Sequence, residues 1–206
     1  MNLLRGIFNR WRRYSFRCRS AWYQQWFLFT EKPIHRKIVV GKGVVFHVPV
    51  RGGGEGTIQI GDNTNLGLRL SGRLGSGAIL LQARTLESEI TIGENSWLNN
   101  NTGLCAVQSI RIGNQCRIGE LVAIMDADFH EIDPALRNRG VGTVKPVTIG
   151  NNVWIGSRAM ILKGADIGDN SVIAAMSVVT SNIPANCVAA GVPARVIRKI
   201  ELSCQT

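Results

Sequence analysis

Of the three histidines in this 206-residue chain, only His130 lies in a strongly polar run, Asp126-Ala-Asp-Phe-His-Glu-Ile-Asp133. Imidazole titrates near neutrality, so such a residue can take a proton from an attacking group and hand it on. It does so best when a second group fixes its tautomer and stabilises the imidazolium that forms. Asp126 and Asp128 are candidates for that role, with Glu131 and Asp133 behind them. His35, His47 and His130 lack the spacing of a three-histidine metal site, and no metal is expected. The five cysteines form no Cys-x-x-Cys pair, and their odd number and irregular spacing argue against a disulfide framework or a zinc site. A reducing, cytoplasmic setting fits them best.

The element that positions His130 is a repeat. Ile149, Ile155, Ile161, Ile167, Ile173 and Val179 recur at a spacing of six, with Gly150, Gly156, Gly168 and Ala174 following four of them. Neither a helix nor a plain strand has that period. A chain that runs a short strand, turns, and repeats three times per coil must place one aliphatic residue inward on each wall, with Gly, Asn and Asp at the corners. The same phase returns at Ile118, Ile112, Ile92, Ile60 and Val40, so a parallel β-helix is expected over most of residues 38–185. Steps of 20 from Val40 to Ile60 and from Ile92 to Ile112 read as an 18-residue coil plus two. Larger insertions lie between Ile60 and Ile92 and between Ile124 and Ile149, and the second carries His130. Loops leaving a rigid scaffold are where binding residues concentrate. The predicted organisation is a basic aromatic helix over 1–30, a β-helix domain over 31–190 with an active-site loop at about 125–147, and a C-terminal segment over 191–206.

Lys and Arg number 24 against 14 acidic residues, and residues 1–30 hold six Arg and no acid. Nine of the 13 aromatic residues share that stretch. On a helical wheel Leu3, Leu4, Ile7, Phe8, Trp11, Tyr14, Cys18, Trp22, Trp26 and Phe29 fall on one face, with the arginines opposite. Phe16, Tyr23 and Phe27 fall off that face, which predicts a break near residue 20. Such a helix either lies in a membrane interface or packs on the β-helix or a neighbouring subunit. No nucleic-acid reading motif accompanies the arginines, and no nucleic acid is expected as a partner.

Three segments, Ile149-Gly-Asn-Asn-Val-Trp-Ile-Gly156, Val178-Val-Thr180 with Ile183-Pro184, and Ala190-Gly-Val-Pro-Ala-Arg-Val-Ile-Arg198, resemble the hexapeptide acyltransferases. The likeness is to the branch holding galactoside, maltose and xenobiotic acetyltransferases and polysaccharide O-acetyltransferases. It implies an all-β, left-handed parallel β-helix, a homotrimer with active sites between subunits, and acetyl-CoA as acyl donor. His130 would then be the general base, and either Asn99 or Asn100 would face the acceptor. Trp154 would lie against the pantetheine or the acceptor. Ser157, Ala175 and Thr180 would line the coenzyme channel, while Arg198, with Arg195 and Lys199 nearby, would meet a coenzyme phosphate. Two departures bear on how coenzyme A sits. Ser181 stands where the family often has Lys, and Ala174-Ala-Met-Ser177 replaces Gly-Ala-Gly-Ser.

The resemblance implies O-acetylation of a saccharide or lipid-linked saccharide, as in capsule, exopolysaccharide or lipopolysaccharide synthesis. Acetylation of a soluble sugar, nucleotide sugar or antibiotic is the second reading, and a β-helical scaffold without catalysis the third. The expected location is the cytoplasm, with residues 1–30 offering a peripheral contact to the inner face of the membrane.

Overall fold

A computed structural model describes residues 2–68 and 76–201, and the side chains of all of these except residues 2–14 and 16. Helix α1 (Asn2–Glu31) precedes a left-handed parallel β-helix of three walls. The first wall stacks Lys37–Val40, Thr57–Ile60, Glu89–Ile92, Ser109–Ile112, Val147–Ile149 and Asp166–Ile167. The second stacks Val45–Phe46, Asn65–Leu66, Trp97–Leu98, Arg117–Ile118, Trp154–Ile155 and Val172–Ile173. The third stacks Val50–Arg51, Ile79–Ala83, Gly103–Ala106, Ala123–Met125, Met160–Ile161 and Val178–Val179.

The six-residue spacing is the inward column of each wall. Val40, Ile60, Ile92, Ile112, Ile149 and Ile167 pair in register down the first wall, and Leu66, Leu98, Ile118, Ile155 and Ile173 down the second. Ile58, Leu66, Leu98, Ile124 and Ile161 are among the side chains that are wholly buried. Such burial of branched aliphatics, about 2 kcal/mol for each side chain, holds the coils together.

The corners follow from residue type. Asn63, Asn95, Gln115, Asn152 and Asn170 take positive φ between the first and second walls, where Asn pays the least of the non-glycine residues. Side chains beside them tie coil to coil. Asn114 Oδ1 accepts the Glu94 N–H at 2.8 Å, Asn151 Oδ1 that of Asn114 at 2.9 Å, and Asp169 Oδ1 that of Asn151 at 2.7 Å. Leu98 to Leu104, Ile118 to Ile124 and Ile155 to Ile161 each take six residues from second wall to third, whereas Leu104 to Ile112 takes eight. The two extra residues of the 20-residue coil therefore sit at the corner between third and first walls. The 126–146 loop leaves from that corner too.

Helix α1 closes the open end of the first coil. Val45 and His47 donate their N–H groups to Thr64 and Leu66 of the next coil, while the N–H of Phe46 points the other way and meets Ser20 Oγ at 3.0 Å. The wholly buried Phe27 lies against Phe46, ring centroids 5.9 Å apart. A solenoid end is an unpaired sheet edge, and the helix covers it. The expected break near residue 20 is corrected: α1 runs unbroken to Glu31 because Tyr23 and Phe27 form a second apolar face, packed on the β-helix. The side chains of Leu3, Leu4, Ile7, Phe8, Trp11, Tyr14 and Phe16 lie outside those described. At the other end Cys187–Gly191 joins the second wall and Ala194–Lys199 pairs antiparallel to it, so the C-terminal segment is the last part of that sheet. Residues 202–206 lie outside the description.

Candidate active site

The loop carrying His130 is a short ribbon. Ala127 and Val144 form an antiparallel bridge, Asp128 N–H donates to Thr143 O at 3.2 Å, and Lys145 N–H to Asp126 O at 2.9 Å. Phe129 takes a positive φ and lies under the Arg84 guanidinium, 4.9 Å from the ring centroid. The next residue, His130, is thereby turned outward and is exposed. Gly142 passes so close that a Cβ there would stand 2.3 Å from the His130 carbonyl oxygen. Its φ of 67° also favours glycine.

His130 Nδ1 stands 3.3 Å from the carbonyl oxygen of Arg137. A carbonyl only accepts, so Nδ1 is the donor in this contact, and when the ring is neutral Nε2 is the nitrogen with a free lone pair. Among the described residues no carboxylate bonds to this ring. Asp126, expected to orient it, is wholly buried and accepts the N–H groups of Val107 and Gln108, each at 2.7 Å. Asp128 pairs through Oδ1 with the Lys163 ammonium, while its buried Oδ2 has no partner among the described residues. Asp133 accepts the N–H groups of Ala135 and Leu136 and shapes the loop tip. Among the described residues the partner of this ring is thus a backbone carbonyl rather than Asp126 or Asp128, while Asp128 and Lys163 tie the loop to the β-helix.

A second cluster lies on the second wall. Trp97, Arg117 and Trp154 pair in register, with Arg117 over the Trp97 ring at 5.6 Å. They line a cleft of about 110 Å³ with Asn99, Leu68 and Gly119. Trp154 is 58% exposed, as a ligand-facing tryptophan must be. Of the two candidate asparagines, Asn99 is half-buried beside this cleft. Asn100 is wholly buried, accepting the Leu68 N–H at 2.8 Å and donating to the Leu68 carbonyl at 3.1 Å, so its side chain is committed to the main chain. That candidate is withdrawn as an acceptor ligand.

Ser157 and Ala175 lie at consecutive rungs of the corner between second and third walls, and both are exposed. Glycines beneath them let backbones close up: a Cβ on Gly119 would meet Ser157 N at 2.5 Å, and one on Gly156 Ala175 N at 2.4 Å. Met176, in the place of the usual glycine, takes φ 60° and is 67% exposed, so its side chain stands over this corner. Thr180 is exposed at the far end of the third wall, and Arg198 lies exposed on the last strand. Within one chain the residues therefore form two groups. His130, Asp128, Lys163 and Thr180 belong to the corner between third and first walls, and Trp154 to the second wall, with Asn99, Ser157 and Ala175 at the corner where that wall turns into the third. Lys163, Gly142, Trp97 and Arg117 had drawn no attention in the sequence, although Trp97 and Arg117 share the coil phase of Trp154.

A parallel β-helix of six-residue steps, with His130 and Trp154 exposed on its surface, is the architecture of a hexapeptide-repeat protein. Residues 146–181 match the family model described as bacterial transferase hexapeptide (six repeats). The chain is 47% identical over 113 residues to the galactoside O-acetyltransferase of Escherichia coli, covering 55% of each chain. It is 32% identical to a putative lipopolysaccharide biosynthesis O-acetyl transferase of the same organism, over 70% of this chain and 73% of that one. The structure of a galactoside acetyltransferase in complex with coenzyme A superposes with a TM-score of 0.52 at 36% identity, covering 76% of this chain and 66% of the other. The chain belongs to the hexapeptide-repeat acyltransferase family, and it spans little more than half the length of the first of these relatives.

Proposed function

We propose that the chain moves an acetyl group from acetyl-CoA to a saccharide hydroxyl in the assembly of a capsule, exopolysaccharide or lipopolysaccharide. The observation that carries this reading is the exposed His130, whose Nδ1 is held by the Arg137 carbonyl so that Nε2 is the nitrogen left to take a proton. As the hydroxyl oxygen attacks the thioester carbonyl carbon, Nε2 takes its proton, and the imidazolium remains held at Nδ1. The tetrahedral adduct collapses with cleavage of the carbon–sulfur bond. The thiolate then recovers the proton from Nε2, giving the acetyl ester, coenzyme A and neutral histidine. The wall of Trp97 and Trp154 suits the apolar face of a sugar ring or the pantetheine arm, and Asn99 suits a hydroxyl.

The split of the site across two edges of the prism supports a homotrimer, in which the His130 edge of one copy faces the Trp154 edge of the next. The names of two relatives, a galactoside and a lipopolysaccharide O-acetyltransferase, support the sugar acceptor. The five cysteines favour the cytoplasm.

Thiol release from acetyl-CoA, measured with a galactoside, with maltose and with purified lipopolysaccharide as acceptors, tests the proposal. Acceptor-dependent release with one of these saccharides is expected. Release no faster than without acceptor, for all three, contradicts the saccharide reading.

A further inference from the structure

Helix α1 has two apolar faces, and the β-helix covers only one. Ser20 and Phe27 face the first coil, whereas Trp22, Trp26 and Phe29 are 59%, 54% and 75% exposed, the two tryptophans bordering an open cleft beside Pro49, Val50 and Arg51. These three form a continuous ladder. The Trp22 and Trp26 rings stack at 5.9 Å and 17°, and Phe29 follows at 6.2 Å. Large aromatics grouped in water mark an interaction surface rather than scattered exposure.

Charge selects the partner. The first 30 residues hold six Arg and no acid, and Lys32 and Lys37 follow, both exposed. The nearest acids are committed: Glu31 lies against Thr30 and His35, and Glu87 pairs with Arg36. A second copy would bring the same cationic helix to the contact, and like charges repel, whereas an anionic surface is attracted. Among the described residues no helix is long and apolar enough to cross a membrane. Tryptophan with arginine is the composition of a helix lying in the interface plane.

We infer that the outer face of α1 docks the protein on an anionic lipid bilayer, with Trp22, Trp26 and Phe29 entering the headgroup region and the exposed Lys32 and Lys37 that follow the helix drawn to lipid phosphates. Because α1 covers the first coil, the coils then stack away from the surface. His130 leaves the fourth coil, three spacings or roughly 15 Å further from the bilayer than the first. Docking does not depend on the acyl-transfer reading.

The test uses the full chain and vesicles of phosphatidylglycerol or phosphatidylcholine, at about 0.1 M salt so that charge is not fully screened. Deleting residues 1–30 would also uncap the solenoid, so the variant is Trp22→Ser with Trp26→Ser and Phe29→Ser, which keeps Ser20 and Phe27. The intact protein is expected to sediment with phosphatidylglycerol vesicles far more than with phosphatidylcholine, and the variant to lose about tenfold in partitioning. Brominated lipid should quench tryptophan emission in the intact protein, a readout that stands even where the variant fails to fold. Equal sedimentation of variant and intact protein, or no quenching, overturns the inference. So does a loss of trimer mass in the variant without vesicle binding by the intact chain, which assigns the face to a second copy. His130→Ala should still bind vesicles, which separates this inference from the catalytic one.

Discussion

The Asp126 carboxylate spans the N–H groups of Val107 and Gln108 on the coil below, with both bonds at 2.7 Å. It anchors the base of the loop that carries His130 and stands apart from the imidazole that the loop presents. Asp126→Ala removes the acceptor of two part-buried main-chain donors, and a loss of about 2 kcal/mol in stability is expected. Denaturant unfolding reads this. Turnover by the folded variant should stay within about threefold of the intact protein, whereas a carboxylate orienting the base costs far more.

Asp128 and Lys163 act as one device. Each is partly exposed, so the pair contributes modestly to stability, but it fixes the ribbon between Ala127 and Val144. Asp128→Ala and Lys163→Ala should each lower kcat about tenfold with the KM for acetyl-CoA unchanged. The double variant should be no worse than either alone, since both remove the same contact. Additive losses count against a shared role.

Gly142→Ala tests the closeness of the two loop strands. With a Cβ 2.3 Å from the His130 carbonyl oxygen and φ at 67°, the returning strand must shift. A fall of about a hundredfold in kcat is expected, because a displacement near 1 Å at a base is felt strongly. The melting temperature should hardly move, since the loop lies outside the core.

Much of the fold was legible because one inward aliphatic residue per wall is a property of side chains, and Ile149 to Val179 display it without gaps. The loop of His130 was legible because a polar run interrupts that period. The partners of the loop were not. Arg137 acts through its carbonyl, which every residue has, so no residue type announces it. Asp126 and Asn100 look like ligands in a sequence, yet both turn inward to main-chain groups that the corners leave unpaired. In α1 a single-face wheel made Tyr23 and Phe27 look like faults, when they are the second face.

The cysteines give a prediction with a pH sign. Burial pushes the thiols of Cys105 and Cys116 up, with Arg84 partly opposing it for Cys105. At pH 8 both should resist alkylation while the exposed Cys18 reacts, as peptide mapping can show. The native state keeps these protons longer than the unfolded chain does. Their contribution to stability is therefore present below the ordinary thiol range and is lost as pH rises through it, visible as a falling melting temperature.

Whether Nε2 of His130 takes the acceptor proton is tested most directly by His130→Ala with acetyl-CoA and a saccharide that supports turnover. A fall in kcat of about a thousandfold is expected, with the KM for acetyl-CoA within about threefold and the melting temperature unchanged. Undiminished thiol release by the folded variant contradicts it.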